Sequence, residues 1–500
     1  MTAATADPAA KAHELVGQGR AADAVALMEP LARRPGASHA ELAAYAEALK
    51  AAGRTDEALA VHQRAIATTP RSGVAEHNLA ALQGELGLHQ AAEAGARRAL
   101  AKGLDAPETW VVLARALQGL GRMDSAVAAF REALRRRPAL TAAHRELAQL
   151  IWMRTEDVGA ATAALKAAVQ ANPGEPALAL QLATVFETAG AHEAAYSTLI
   201  SAIGRLSEPA APLEVAASTA AGKLGETIAA QRHAERAVEA APTDPRAQAA
   251  LLDAHLALGR AGLAARIAEG LLERAPDEQQ ILARLATAWR LMDDPRYGEL
   301  YDYDAFVRGW TLDTPTGWPN LAAYLGDLAT ALRGAHIFRA HPFDQTLRFG
   351  AQTPTDLVRL DDPAIKAFFQ AVERPIRQHL QAIGQGEGPL RRRNTFAYAI
   401  QGAWSVKLRP GGFHVDHVHP MGWLSSACHI VLPGTSPGVH EGWLKFGEPG
   451  VATQPKLEAE RFVEPQPGRL LLFPSYMWHG TVPFSGEGER LSVAFDVVPA

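Results

Sequence analysis

The sequence predicts a multidomain α plus β chain, all-α through its first half and closing on an antiparallel β domain. Three observations carry that expectation. Glycines recur at a spacing of 34 through the first 260 residues. Near residue 290 an alanine- and leucine-rich composition gives way to aromatic and acidic residues. From Phe396 onward short apolar runs alternate with glycine and proline. Five hundred residues also exceed what a single hydrophobic core organises, so two or more units are expected.

The first element is the repeat. Gly19, Gly53, Gly87 and Gly121 are 34 apart, and Gly190, Gly225 and Gly259 continue the series with steps of 35 and 34. The missing member falls near Glu156, where a helix-compatible residue replaces glycine. Small residues recur after each glycine: Ala126, Phe130, Ala133 and Pro138 after Gly121, and Ala230, Ala234, Ala237 and Pro242 after Gly225. Glycine ends a helix in a left-handed conformation, small side chains let the next helix approach closely, and proline stops it. Trp110, Leu113 and Leu117 give the helix before Gly121 an apolar face at helical spacing. A helix-turn-helix unit with these offsets resembles the tetratricopeptide repeat, over about eight units. The resemblance implies a superhelix over residues 1–285 whose concave groove binds a peptide or protein partner.

Residues 286–334 follow as a helical connector, opening with L-M-D-D-P-R-Y-G-E-L-Y-D-Y-D, with a helix over 320–332. A second helix is expected over 363–383, and between the two the polar stretch from His341 to Thr353 reads as a structured loop. Apolar runs at 397–408, 424–432, 443–446, 469–473 and 491–498, broken by turn residues, then predict short strands of a sandwich or barrel in a domain spanning 335–500.

Bulk properties narrow the function. A net charge of −5 gives no support for nucleic-acid binding, and the one basic run, Arg391–Arg393, reads as a solvated turn before a strand. Cys428 is the only cysteine, which excludes an intramolecular disulfide and a thiolate metal cluster; its apolar surroundings predict a buried, inert thiol. The amino terminus carries no signal-like segment and no run of about 18 apolar residues occurs, so no membrane span and a cytoplasmic location are expected. No G-x-x-x-x-G-K-[ST], G-x-S-x-G or cysteine dyad is present, which leaves nucleotide-driven, sulfotransferase and serine- or cysteine-hydrolase chemistry unsupported.

Chemistry concentrates near the carboxyl end. Residues 411–419 read G-G-F-H-V-D-H-V-H; F-P-S-Y-M-W-H-G follows, ending on His479 and Gly480, and Arg490 stands in E-R-L-S-V-A-F-D. If the first segment is extended, His414 and Asp416 share one face while His417 and His419 share the other. Either pair joins His479: as two histidines and a carboxylate, the facial arrangement that leaves open positions on Fe(II), or as three imidazoles. The carboxylate set is the simpler chemistry, because an anionic ligand offsets metal charge. The segment 341–353, D-H-V-H-P-M-G-W-L-S-S-A, the F-P-S-Y-M-W-H-G and the final E-R-L-S-V-A-F-D resemble the 2-oxoglutarate/Fe(II) oxygenase family that is often fused to tetratricopeptide repeats. Its H-x-H-P element falls on His417, His419 and Pro420, which favours the three-imidazole set.

The resemblance implies a double-stranded β-helix (jelly-roll) domain using Fe(II), 2-oxoglutarate and O2, with His417, His419 and His479 as metal ligands. Arg490 would pair with the distal carboxylate of 2-oxoglutarate, and Ser492, on the same strand face, would donate a second hydrogen bond. The expected function is a dioxygenase that hydroxylates a protein or peptide recruited by the repeats. The alternatives are an interaction scaffold with an inactive or metal-sensing β domain, and a cupin-like metal isomerase or hydrolase. Trp404, Val406 and Leu408 read as core, while Trp423 and Ser425 are candidates for contact with co-substrate or substrate. His336, His379, His429 and His440 are assigned structural or surface roles, and Gln345 and Arg348 no role.

Overall fold

The computed structural model describes residues 7–434 and 439–500. Packing divides the chain into two compact units, residues 1–150 and 151–500. Between Pro8 and Leu291 the described residues form seventeen helices, the ninth of which, Thr141–Thr155, crosses that division. The repeat glycines adopt the expected left-handed backbone, Gly53 at φ 75° and Gly225 at φ 78° among them. Close approach is equally visible: a Cβ on Gly95 would come within 2.9 Å of Ala80 Cβ on the preceding helix.

At the gap in the glycine series the helix still stops. Glu156 itself takes the left-handed conformation, φ 59°, so the residue read as helix-compatible is a turn residue. A non-glycine residue there costs about 1 kcal/mol of backbone strain. Contacts in the second unit hold it in place. Arg409 Nη2 donates to both Glu156 oxygens at 2.7 and 2.9 Å, and Arg339 Nε lies 3.4 Å away.

Among the described residues nine strands follow: β1 (Arg308–Thr311), β2 (Leu347–Gln352), β3 (Tyr398–His414), β4 (Leu424–Val431), β5 (Leu444–Phe446), β6 (Arg461–Val463), β7 (Arg469–Pro474), β8 (His479–Thr481) and β9 (Arg490–Pro499). They form two antiparallel sheets, β1-β7-β4-β9-β3-β2 and β6-β5-β8. The strands expected near 397–408, 424–432, 443–446, 469–473 and 491–498 are present. Two expectations need correction. The stretch 286–334 is not wholly helical, because β1 pairs antiparallel with β7 and covers its edge. The loop 341–353 contains β2, whose pairing with β3 is interrupted between Arg348 and Gly350 and so shows no clean alternation.

Within the second unit the later repeats grip the β domain at two places. Met153 O accepts from Arg339 N and Ala340 N at 2.9 and 3.0 Å, beside the Glu156 pair. At the other end Trp478 Nε1 donates to Thr287 Oγ1, 2.9 Å, on the last repeat helix, and Tyr301 Oη binds the backbone on either side, at Tyr476 O and Trp478 N. Burying these aromatic side chains with their polar tips satisfied fixes the segment that leads into β8. The basic run is likewise not a free turn. It is a short 3-10 helix in which Arg391 bonds Ile383 O and lies over the Phe306 ring, and Arg392 Nη2 reaches Asp277. Cys428 is fully buried, and burial pushes its thiol pKa up, as an inert thiol requires.

Candidate metal centre

β3 runs to His414 and then leaves its ladder with β2. His417 and His479 re-form a local pair by exchanging backbone hydrogen bonds of 2.9 and 3.0 Å, which sets their rings 4.2 Å apart. His419 is tethered through its N–H to Ser475 O, and its ring lies 5.1 Å from that of His479 and 5.1 Å from that of His417. One ligand atom from each of the three lies within 4.8 Å of the others. Gly480 is needed beside them, because a Cβ there would lie 2.6 Å from Asp416 Oδ1 and 2.9 Å from His414 O.

The hydrogen bonds fix which nitrogens converge. Nδ1 of His417 faces Val415 O at 2.8 Å, Nδ1 of His479 faces Met477 O at 2.9 Å, and Nδ1 of His419 faces Asp496 Oδ1 at 2.6 Å. A carbonyl or carboxylate oxygen can only accept, so each Nδ1 carries the proton and each Nε2 keeps its lone pair. His417 Nε2 and His419 Nε2 are 3.2 Å apart. Two lone pairs this close repel unless a cation lies between them. Burial, followed by repulsion from neighbouring imidazoles, pushes His417 down to about 3 and holds His479 well below the ordinary value, so both stay neutral donors. This donor set fits a divalent transition metal.

Asp416 turns elsewhere. Its Oδ2 accepts from Lys445 Nζ at 2.8 Å, and burial raises its pKa to about 6. His414 lines the same cavity but is set back, its ring 6.0 Å from that of His417 and its Nδ1 3.1 Å from Thr346 Oγ1. The geometry therefore gathers His417, His419 and His479, and does not bring Asp416 to them.

Both sheets contribute to a cavity of about 340 Å³ around these imidazoles. Arg490 and Ser492 line it. The Arg490 guanidinium is buried, and burial pushes its pKa down to about 10. Its Nη1 donates to Gly442 O at 2.8 Å and its Nη2 lies 3.4 Å from His429 Nε2, while Nε is buried with no partner among the described residues. A buried guanidinium with an unused N–H costs free energy that a carboxylate would offset.

Several other assignments change. His429, expected to be merely structural, lines the cavity beside Arg490. Trp404 does as well, 5.8 Å from the His419 ring. Trp423 does not line it; its Nε1 donates to Leu390 O. Ser425 binds Asp496 Oδ1 at 3.0 Å and Ser475 Oγ at 2.9 Å, so it acts one layer behind the cavity. Asp496, which lines the cavity and holds His419, is a residue that the sequence reading missed. It had a signal, since Arg490, Ser492, Ala494 and Asp496 alternate along β9 and all line the cavity.

Two family models match this chain. Residues 402–496 match the family described as "Putative 2OG-Fe(II) oxygenase", and residues 77–141 and 111–176 match the tetratricopeptide repeat. No curated protein is similar enough to count as a relative. Among solved structures, yeast Tom70 is 15% identical, with 61% of this chain and 67% of that chain covered and a TM-score of 0.43. MamA from Desulfovibrio magneticus RS-1 is 16% identical, with 34% of this chain and 99% of that chain covered and a TM-score of 0.29. By its two family matches, the chain joins tetratricopeptide repeats to a domain of the 2OG-Fe(II) oxygenase type. No helix among the described residues is long and apolar enough to cross a membrane.

Proposed function

We propose that this protein is an Fe(II)- and 2-oxoglutarate-dependent dioxygenase that hydroxylates a protein or peptide substrate recruited by its repeats. The observation that carries the reading is the convergence of three Nε2 lone pairs in a cavity that also holds a buried, incompletely paired arginine. In it, His417, His419 and His479 bind the metal, and Arg490 with Ser492 holds the distal carboxylate of 2-oxoglutarate. Iron and 2-oxoglutarate, when bound, would activate O2, one oxygen atom entering succinate as carbon dioxide leaves and the other becoming the substrate's hydroxyl group.

The chain's own share is orientation and exclusion of water. Asp496 accepts the Nδ1 proton of His419, which keeps Nε2 available and supplies negative charge from behind the ring. Ser425 steadies that carboxylate. Trp404, Val406 and Phe473 give the cavity apolar walls. Arg490 is anchored by Gly442 O, so its remaining N–H groups are aimed before 2-oxoglutarate arrives.

The test is Fe(II)-dependent conversion of 2-oxoglutarate to succinate by the full chain, with iron stoichiometry measured alongside. His479→Ala is expected to abolish both turnover and stoichiometric iron binding, whereas Asp416→Asn retains iron. Undiminished succinate formation by His479→Ala would rule out its ligand role, and loss of iron in Asp416→Asn would return the carboxylate to the ligand set.

A further inference from the structure

A second cavity, of about 360 Å³, abuts the first within the same compact unit. Its walls come from the repeat helices Pro176–Thr188 and Ala211–Lys223, from Leu199 on the helix between them, His192–Ile203, and from the segment around β2. Leu180, Thr184 and Glu187 lie on one face of the first helix, and Ala216, Thr219 and Lys223 on one face of the second. The two cavities share Asp344, Gln345 and Thr346 as lining. Thr346 Oγ1 is itself 3.1 Å from His414 Nδ1 and 3.5 Å from His417 Nε2. The repeat groove and the metal cavity are therefore separated by about the width of one residue.

The charges lining the groove are unequally satisfied. Glu187 already pairs with Lys223 and His192. Among the described residues Arg348 donates only Nη1, to the carbonyls of Gln345 and Leu347, and makes no ion pair, although the Glu187 carboxylate across the groove favours its charge. The threonine hydroxyls of 184 and 219 donate to carbonyls of their own helices, which leaves their oxygens free to accept. A small molecule would occupy one cavity or the other. An extended chain can lie on the helix faces, pass Thr346 and place one side chain among the imidazoles.

Resting on the oxygenase reading, we infer that this groove binds an extended peptide segment carrying an acidic side chain, which pairs with Arg348 and sets the neighbouring residue into the metal cavity. The acid acts as the specificity element, and the helix faces supply sequence-tolerant contact.

The probe is a displayed library of random dodecapeptides, selected on the full-length protein loaded with Co(II). Acidic residues are expected to be enriched about tenfold, the worth of one charge-assisted hydrogen bond. That enrichment should disappear in Arg348→Gln and in Thr219→Trp, the latter obstructing the groove from an exposed position. Co(II) affinity and the circular dichroism spectrum should be unchanged in both. Absence of acidic enrichment on the unmodified chain, or its survival in Arg348→Gln, would overturn the inference. So would displacement of the selected peptides by 2-oxoglutarate alone, which would make Arg348 a small-anion site. Because selection needs no turnover, failure of the oxygenase reading would appear separately, as retained peptide binding without iron-dependent succinate formation.

Discussion

At the residue scale the candidate metal centre is built from side chains that each do one thing, and two of them separate binding from folding. Asp496 touches His419 but not the converging nitrogens, so its effect must pass through the imidazole. Asp496→Asn keeps the shape and removes the charge. Co(II) or Fe(II) affinity, read by calorimetric titration, is expected to fall about 10- to 100-fold, and an unchanged affinity would reduce the contact to scaffolding. Arg490→Ala should instead leave the metal bound and raise the 2-oxoglutarate requirement about thirtyfold or more, since losing one partner of a buried charged pair costs about 2–5 kcal/mol. A parallel thermal melt should move little. The imidazoles were legible in the sequence because histidines two apart on a segment point to one side. Choosing His417 and His419 over His414 and Asp416 needed the family resemblance, because spacing treats the two pairs alike. The Lys445 contact that draws Asp416 away comes from β5, 29 residues on, where no local pattern announces it.

At the scale of elements, what the sequence announces depends on length and regularity. The repeat helices and the long strands β3, β4 and β9 were readable, since each repeats its pattern several times. The three-residue strands β6 and β8 and the four-residue β1 lack the mostly apolar run, Trp443–Phe446, that marks the equally short β5, and β2 hides behind a break at Phe349, whose φ is 55°. Glu156 is the sharpest instance, a turn without the glycine that marks its counterparts. Its strain and its ion pair can be separated. Glu156→Gly relieves about 1 kcal/mol of strain and loses a partly exposed pair with Arg409 of about the same size, so stability should stay near that of the unmodified chain. Glu156→Ala loses the pair and keeps the strain, and should unfold about 1 kcal/mol more easily in urea. Equal stability of Glu156→Ala and the unmodified chain would show that the Arg409 contact contributes nothing.

At the scale of the whole molecule, the later repeats and the two sheets share one compact unit, so events at any of their buried groups register on the same transition. Histidines away from the imidazole cluster matter here, His336, His341 and His379 most strongly. Burial, reinforced by Lys407, Arg348 and Arg308 respectively, pushes His336 and His341 down to about 4 and His379 down to about 3. Their folded pKa values lie below the value of 6.5 for an unperturbed histidine, so the unfolded chain takes up protons first. Stability is therefore fully present above about pH 6.5 and is lost as pH falls toward 4, at about 1 kcal/mol per pH unit for each histidine. In the metal-free chain the transition of residues 151–500 should move to lower temperature between pH 7 and pH 5, followed by scanning calorimetry. His379→Leu tests the cause. It deprives Trp310 Nε1 of its acceptor and should lower stability at every pH, while making the acid slope shallower by about one histidine's share. The slope, not the level, carries the information: an unaltered slope in His379→Leu would place the acid sensitivity in other groups.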